Sequence, residues 1–196
     1  MNKIFTKAAL AASMAVLSFD AAAESVSFQA GVTVQNAFTL TNDSALDFGT
    51  IRASADLAAA ETATLVLAAN PATSPTTAST SIADAEIAIL VPGAPAAFSV
   101  SGVSPFGSLT ITNPTETAIS PDAAPAGTAA FTLGTPTYYV LTGATPNSAA
   151  TTTIQVDANG EATFNVGATL TTDATTPTSD YIDGTYSGSF TLELNY

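Results

Sequence analysis

The sequence contains no histidine, no cysteine and no tryptophan, and only three of its 196 residues are lysine or arginine against sixteen aspartates and glutamates. Each absence closes a class of chemistry. Without His or Cys there is no Ser-His-Asp or Cys-His nucleophile, no ordinary zinc or haem ligand set and no disulfide. Lys3 and Lys7 lie in the first 23 residues, which leaves Arg52 as the only basic side chain beside fifteen acids from Glu24 onward. One cation cannot neutralise a row of phosphates, so nucleic acid is not expected as a partner. Without lysine beyond residue 7 there is no Schiff-base chemistry and no side-chain amine for a covalent crosslink. No cofactor is expected.

Residues 1–23 carry the three parts of a secretory signal. Lys3 and Lys7 make a positive start, Ala8 to Phe19 a short apolar stretch, and Ala21-Ala22-Ala23 a small-residue cleavage site. The apolar stretch is too brief to span a hydrocarbon core of roughly 30 Å. Glu24 is then the expected first mature residue, and 24–196 the expected single domain. No cysteine follows the apolar stretch to take a lipid anchor, and no second long apolar run calls for membrane insertion. The expected location is secreted, extracellular or at the cell surface by way of the periplasm.

From residue 24 the chain is rich in Thr, Ser, Ala and β-branched aliphatics, punctuated by Pro and Gly. Apolar residues recur with period two, the mark of half-buried strands. Val26, Phe28, Ala30, Val32 and Val34 share one face of the first run. Further strands are expected at Phe38 and Leu40, at Leu46–Ile51 after a turn at Asn42-Asp43-Ser44, and at 62–68, 85–91, 96–101, 108–112, 129–133 and 138–141. Ile154 and Val156 lead into Asp157-Ala158-Asn159-Gly160, and 162–166 comes back, which predicts a tight hairpin because Asn-Gly supplies positive φ angles. The most regular run is the last, with Tyr186, Gly188, Phe190, Leu192, Leu194 and Tyr196 on one face, so the final side chains are expected to pack. Residues 70–79, 114–128, 142–152 and 171–180 read as exposed loops, and 53–60, rich in Ala, could form a helical turn. Many short strands separated by turn signals indicate an all-β antiparallel sandwich.

Three segments resemble a known family: Leu46–Ile51 (LDFGTI), Asp157–Leu170 (DANGEATFNVGATL) and Gly184–Tyr196 (GTYSGSFTLELNY). They are similar to the bacterial secreted family called domain of unknown function 4402, itself distantly similar to spore-coat protein U-like subunits and chaperone–usher pilins. The resemblance implies an immunoglobulin-like, pilin-like sandwich and a role in surface filaments. Pilins of that type lack one strand, which a neighbour's N-terminal extension supplies, and a periplasmic chaperone pairs with their terminal strand. This chain differs in having no disulfide and in the long Ala/Thr/Pro insertions of its middle.

Two candidate elements follow. Val26, Phe28, Ala30, Val32 and Val34 suit strand addition to a neighbour's open sheet. They equally suit the first strand of the chain's own sandwich, and alternation does not distinguish the two. Tyr186, Phe190, Leu192, Leu194 and Tyr196 suit either a partner-facing edge or a core strand. The acids form no catalytic pair that the sequence can place across a cleft. Asp180 with Asp183, and Asp84 with Glu86, are spaced to hold calcium but lack an Asp-x-Asp-x-Asp-Gly loop, so solvated carboxylates are expected. Tyr138-Tyr139 could serve a carbohydrate platform, with packing the expected role. The expected function is a non-enzymatic subunit self-associating into filaments, with a monomeric adhesion or carbohydrate-binding module as the alternative.

Overall fold

The computed structural model describes residues 24–32, 37–79, 84–121 and 123–196. The chain divides into two units, Met1–Val34 and Gln35–Tyr196. In the first, residues 24–32 form no strand, and Val34 lies outside the described residues.

The second unit is all-β. In chain order its strands are β1 (Thr39–Ser44), β2 (Asp47–Ser54), β3 (Ala63–Leu67), β4 (Thr76–Ser79), β5 (Glu86–Ala94), β6 (Ala96–Ser101) and β7 (Ser108–Thr112), followed by β8 (Thr117–Pro121), β9 (Phe131–Thr142), β10 (Ser148–Ala150), β11 (Thr153–Gln155), β12 (Ala162–Thr171), β13 (Tyr186–Ser187) and β14 (Glu193–Asn195). The strands pair antiparallel throughout, with a single isolated parallel bridge between Thr128 and Ser179 among the described residues.

The largest sheet has nine strands, arranged β1-β6-β12-β9-β8-β13 with β3, β4 and β10 attached. Its centre is β12. One edge of β12 takes β6 along 162–166 and then β3 along 168–171, while the other edge takes β9. Phe164, Val166, Ala168 and Leu170 alternate along β12 and are all buried. Their aliphatic and aromatic bulk on one face of a twice-paired strand explains why the core forms there. A three-stranded sheet, β11-β7-β14, and a two-stranded one, β2-β5, complete the unit.

The buried side chains fall into two clusters. One gathers Ala96, Val100, Leu109, Ile111, Tyr138, Ile154, Val156, Phe164, Val166 and Leu194. The other gathers Ala63, Leu65, Ile87, Ile119, Phe131, Leu133, Ala168 and Leu170. Leu46 packs against both.

Several expectations are corrected. Strands 129–133 and 138–141 are one strand, β9, because a bulge around Thr135 (φ 47°) carries the chain past Pro136 without ending the ladder. The Asn-Gly turn is tight, with Gly160 at φ 79°, but it joins no hairpin: β11 pairs with β7, and β12 with β6 and β9. The turn docks instead on 103–106, where the Val103 N–H donates to the Gly160 carbonyl at 3.2 Å and the Phe106 N–H to that of Asp157 at 3.0 Å. Residues 39–44 remain strand through the expected turn, with a bulge between Asn42 and Ser44. No helical turn forms at 53–60; β2 runs to Ser54 instead. Three expected loops contain the short strands β4, β8 and β10. Finally, the terminal run is not continuous: β13 pairs with β8 and β14 with β7, and residues 188–192 between them join no ladder.

Candidate functional site: an apolar groove between two strand walls

The second unit opens into a groove of about 970 Å³. Its floor is the inward face of the nine-stranded sheet, with Ala96, Ile119, Phe131, Leu133, Val166 and Leu170. These floor residues come from both core clusters, so the groove lies where the two would otherwise meet. One wall is Leu46, Phe48, Ile51 and Ala53, on and just before β2, and the other is the terminal segment with Tyr181, Tyr186, Phe190 and Leu192.

The walls run in opposite directions. Going from Leu46 through Phe48 and Ile51 to Ala53, β2 passes from contact with both clusters to contact with the second alone. The terminal segment starts on the second cluster with Tyr181, Tyr186 and Phe190, then reaches the first with Leu192 and Leu194. Among the described residues β2 pairs only with β5, and β14 only with β7. β13, at the start of the terminal wall, pairs with β8, so each wall strand has a single strand partner among the described residues.

Near the second cluster the walls are tied together. A carboxylate oxygen of Asp180 accepts the Ala55 N–H at 2.7 Å and the Tyr181 N–H at 2.8 Å. The Tyr181 ring stacks on Phe131 at 4.1 Å, and Tyr186 meets both rings edge-on. The Tyr181 hydroxyl donates to the Ala130 carbonyl at 3.2 Å and accepts the Asp173 N–H at 2.8 Å. Burial pushes the ionisation of Tyr181 and Tyr186 above the ordinary phenol range. At Asp173 burial works the same way, but hydrogen bonds from the Thr175 hydroxyl, the Ala130 N–H and the Thr175 N–H outweigh it and hold the carboxyl low. Gly188 is required where the wall crosses the floor, since a Cβ there would lie 2.4 Å from Ile119 Cγ2.

The candidates from the sequence separate into three groups. Tyr186, Phe190 and Leu192 line the groove, half-buried. Leu194 is buried in the first cluster, and Tyr196 is 47% exposed, edge-on to Phe38 at 5.6 Å with its hydroxyl accepting the Ser104 N–H at 3.3 Å. Val26, Phe28 and Val32 are 87–88% exposed, Ala30 is exposed as well, and Val34 lies outside the described residues.

The acids offer no ligand cluster. Glu86 pairs with Arg52 at 3.3 Å, Asp180 is occupied by two amides, and no group of three or more carboxylates suited to a metal occurs among the described residues. Tyr138 is not a platform residue. It is buried, its hydroxyl donates to Asn113 Oδ1 at 3.1 Å, and burial pushes its pKa up to about 12. Leu46, Phe48 and Ile51 were legible as a strand but not as a groove wall, and nothing in the sequence signals the Asp180–Ala55 tie.

The family model for a domain of unknown function (DUF4402) matches residues 38–196. The chain belongs to the DUF4402 family. The match covers every strand and both groove walls, and it begins after the exposed 24–32 segment. No curated protein and no solved structure matches the chain.

Proposed function

We propose that this DUF4402 protein is a secreted, non-enzymatic structural subunit of a bacterial surface filament or extracellular matrix. In this reading it is an immunoglobulin-like sandwich short of one strand, and residues 25–34 of a second copy fill its groove. The observation that carries the reading is the groove, whose apolar floor lies between two oppositely running walls built of strands with a single partner each among the described residues. Such a gap suits a β-strand better than a compact small molecule, because the walls offer backbone groups along their length and the floor is aliphatic and aromatic. The fitting occupant is extended, nearly uncharged and apolar on every second residue. Ser25–Val34 has that pattern, and Val26, Phe28 and Val32 are available for burial. Each such side chain contributes roughly 1.5–3 kcal/mol when fully buried. A periplasmic chaperone strand would suit the same groove before assembly.

The test uses chain 24–196 in wild-type, Phe28→Asp and Val32→Asp forms, followed by sedimentation and negative-stain microscopy. Filaments are expected for the wild type and none for either variant, since a carboxylate cannot enter an apolar floor without a partner. Filaments from both variants would overturn strand donation. A wild-type monomer whose own residues 25–34 are protected from exchange would favour the monomeric adhesion module instead.

A further inference from the structure

The terminal segment poses a backbone accounting problem. From Thr185 to Tyr196 apolar and polar residues alternate without interruption, which is a strand pattern of twelve residues. Yet only Tyr186–Ser187 pair with Pro121 and Ser120, and only Glu193–Asn195 pair with Thr112 to Thr110. The five residues between, none of them proline, take part in no backbone–backbone hydrogen bond among the described residues. Phe190 and Leu192 nevertheless rest half-buried against the core, one on each cluster. Nothing in residues 188–192 forbids a strand: side chains alternate correctly, and Gly188 already admits the passage over Ile119. The ladders with β8 and β7 that flank the segment both run along residues 110–121 and break opposite 113–119. Among the described residues no strand pairs with 188–192 on its other side either, so these mostly exposed amides and carbonyls are open to a further strand.

We infer that residues 188–192 are the edge on which a second copy's residues 25–34 pair, and that they become strand only when that pairing occurs. The inference rests on the reading of the groove given above. It adds a change of state in the acceptor. Filling the groove fuses β13 and β14 into one strand from Tyr186 to Asn195. It also joins the two core clusters, since Phe190 lies on one and Leu192 on the other. The occupant commits to a segment of this same chain for two reasons. Residues 25–34 carry no charge, which suits the aliphatic and aromatic floor; the charged lining residues Asp47, Arg52 and Asp183 belong to the walls. Ten extended residues also span about 33 Å, more than the about 17 Å that five acceptor residues require.

Hydrogen exchange followed by mass spectrometry on chain 24–196 tests this, comparing dilute monomer with assembled material. Amides of 188–192 are expected to exchange freely in the monomer and to slow by at least about 100-fold on assembly, as a segment joining a cooperative unit does. Residues 25–34 should slow in parallel, while β12 is protected in both states. Assembled material in which 25–34 is protected but 188–192 still exchanges freely would overturn the inference and leave strand donation standing. No assembly, or assembly with 25–34 unprotected, removes strand donation and the inference with it. Gly188→Pro and Ser189→Pro provide a second reading, because between them they remove an N–H from each side of the would-be strand. At least one is expected to block assembly of folded monomer; Ser189→Pro keeps the monomer's unfolding midpoint, whereas Gly188→Pro lowers it because its Cβ meets Ile119 Cγ2 at 2.4 Å. Wild-type assembly by both would count against pairing at this edge.

Discussion

Asp180 holds two backbone amides on one carboxylate oxygen, and one of them belongs to Ala55, across the groove. Replacing it with alanine leaves the amide of a buried residue without its partner, at a cost of about 1–3 kcal/mol. Asp180→Ala is therefore expected to lower the urea midpoint of the monomer, and Asp180→Asn, which keeps an acceptor, to lower it less. Tyr138 sets an alkaline limit. Its folded pKa, about 12, lies above that of an unfolded tyrosine, so its contribution is fully present below the unfolded value of about 10 and is lost as pH rises through about 12. Denaturation followed between pH 9 and 12 should show a smaller loss of stability for Tyr138→Phe than for the wild type. The slope does not vanish, because Tyr181 and Tyr186 are shifted the same way. Asp173 acts at the acid end with the opposite sign. Its folded pKa is lowered, so its contribution is present above the unfolded carboxyl value and is lost as pH falls through the folded one. Asp173→Asn should flatten the acid limb of a stability–pH curve.

Gly188 links residue to element. A valine there would drive its Cβ into Ile119, which lies directly opposite Phe131 in the β8–β9 ladder. Gly188→Val is expected to melt β13 away from β8 and to lower the thermal midpoint, an outcome calorimetry reads directly. Elements whose partners are fixed by strong apolar alternation were legible in the sequence: 96–101 and 108–112 are β6 and β7 to the residue. The short strands β4, β8 and β10 were not, because their Thr, Ser and Ala carry no burial signal, a lone Ile119 in β8 makes no alternation, and these strands form by pairing with β3 and β9. The hairpin after Ile154 failed for a different reason. Asn159-Gly160 specifies a tight turn, but whether the flanking strands pair depends on where each finds its sheet, and β11 finds β7. The terminal run shows the converse limit. Its pattern specifies a continuous strand, yet residues 188–192 join no ladder among the described residues. Residues 24–32 carried their alternation plainly, but alternation is silent about which chain a strand joins.

At the scale of the whole molecule, charge opposes self-association. From Glu24 onward one arginine faces fifteen acids, and that arginine is already paired, on the surface, with Glu86. In the proposed assembly two copies would approach as like-charged bodies, with the uncharged residues 25–34 bridging them. Raising ionic strength from about 0.01 M to about 0.15 M shortens the screening length from about 30 Å to about 8 Å. Assembly, followed by light scattering, should accelerate over that range; slowing would point to attractive charge contacts across the interface.

The position of β12 at the centre of the large sheet governs the order in which the chain can fold. β1 and β6 pair with each other, as do β3 and β4, but β6 and β3 share a sheet only through residues 162–171. A chain made N-terminus first must complete more than a hundred residues, from Thr39 to Glu161, before the strand that unites β6 and β3 arrives. Such long-range closure makes folding slow and leaves the nascent chain open to wrong pairings. A holding factor would matter most during that interval.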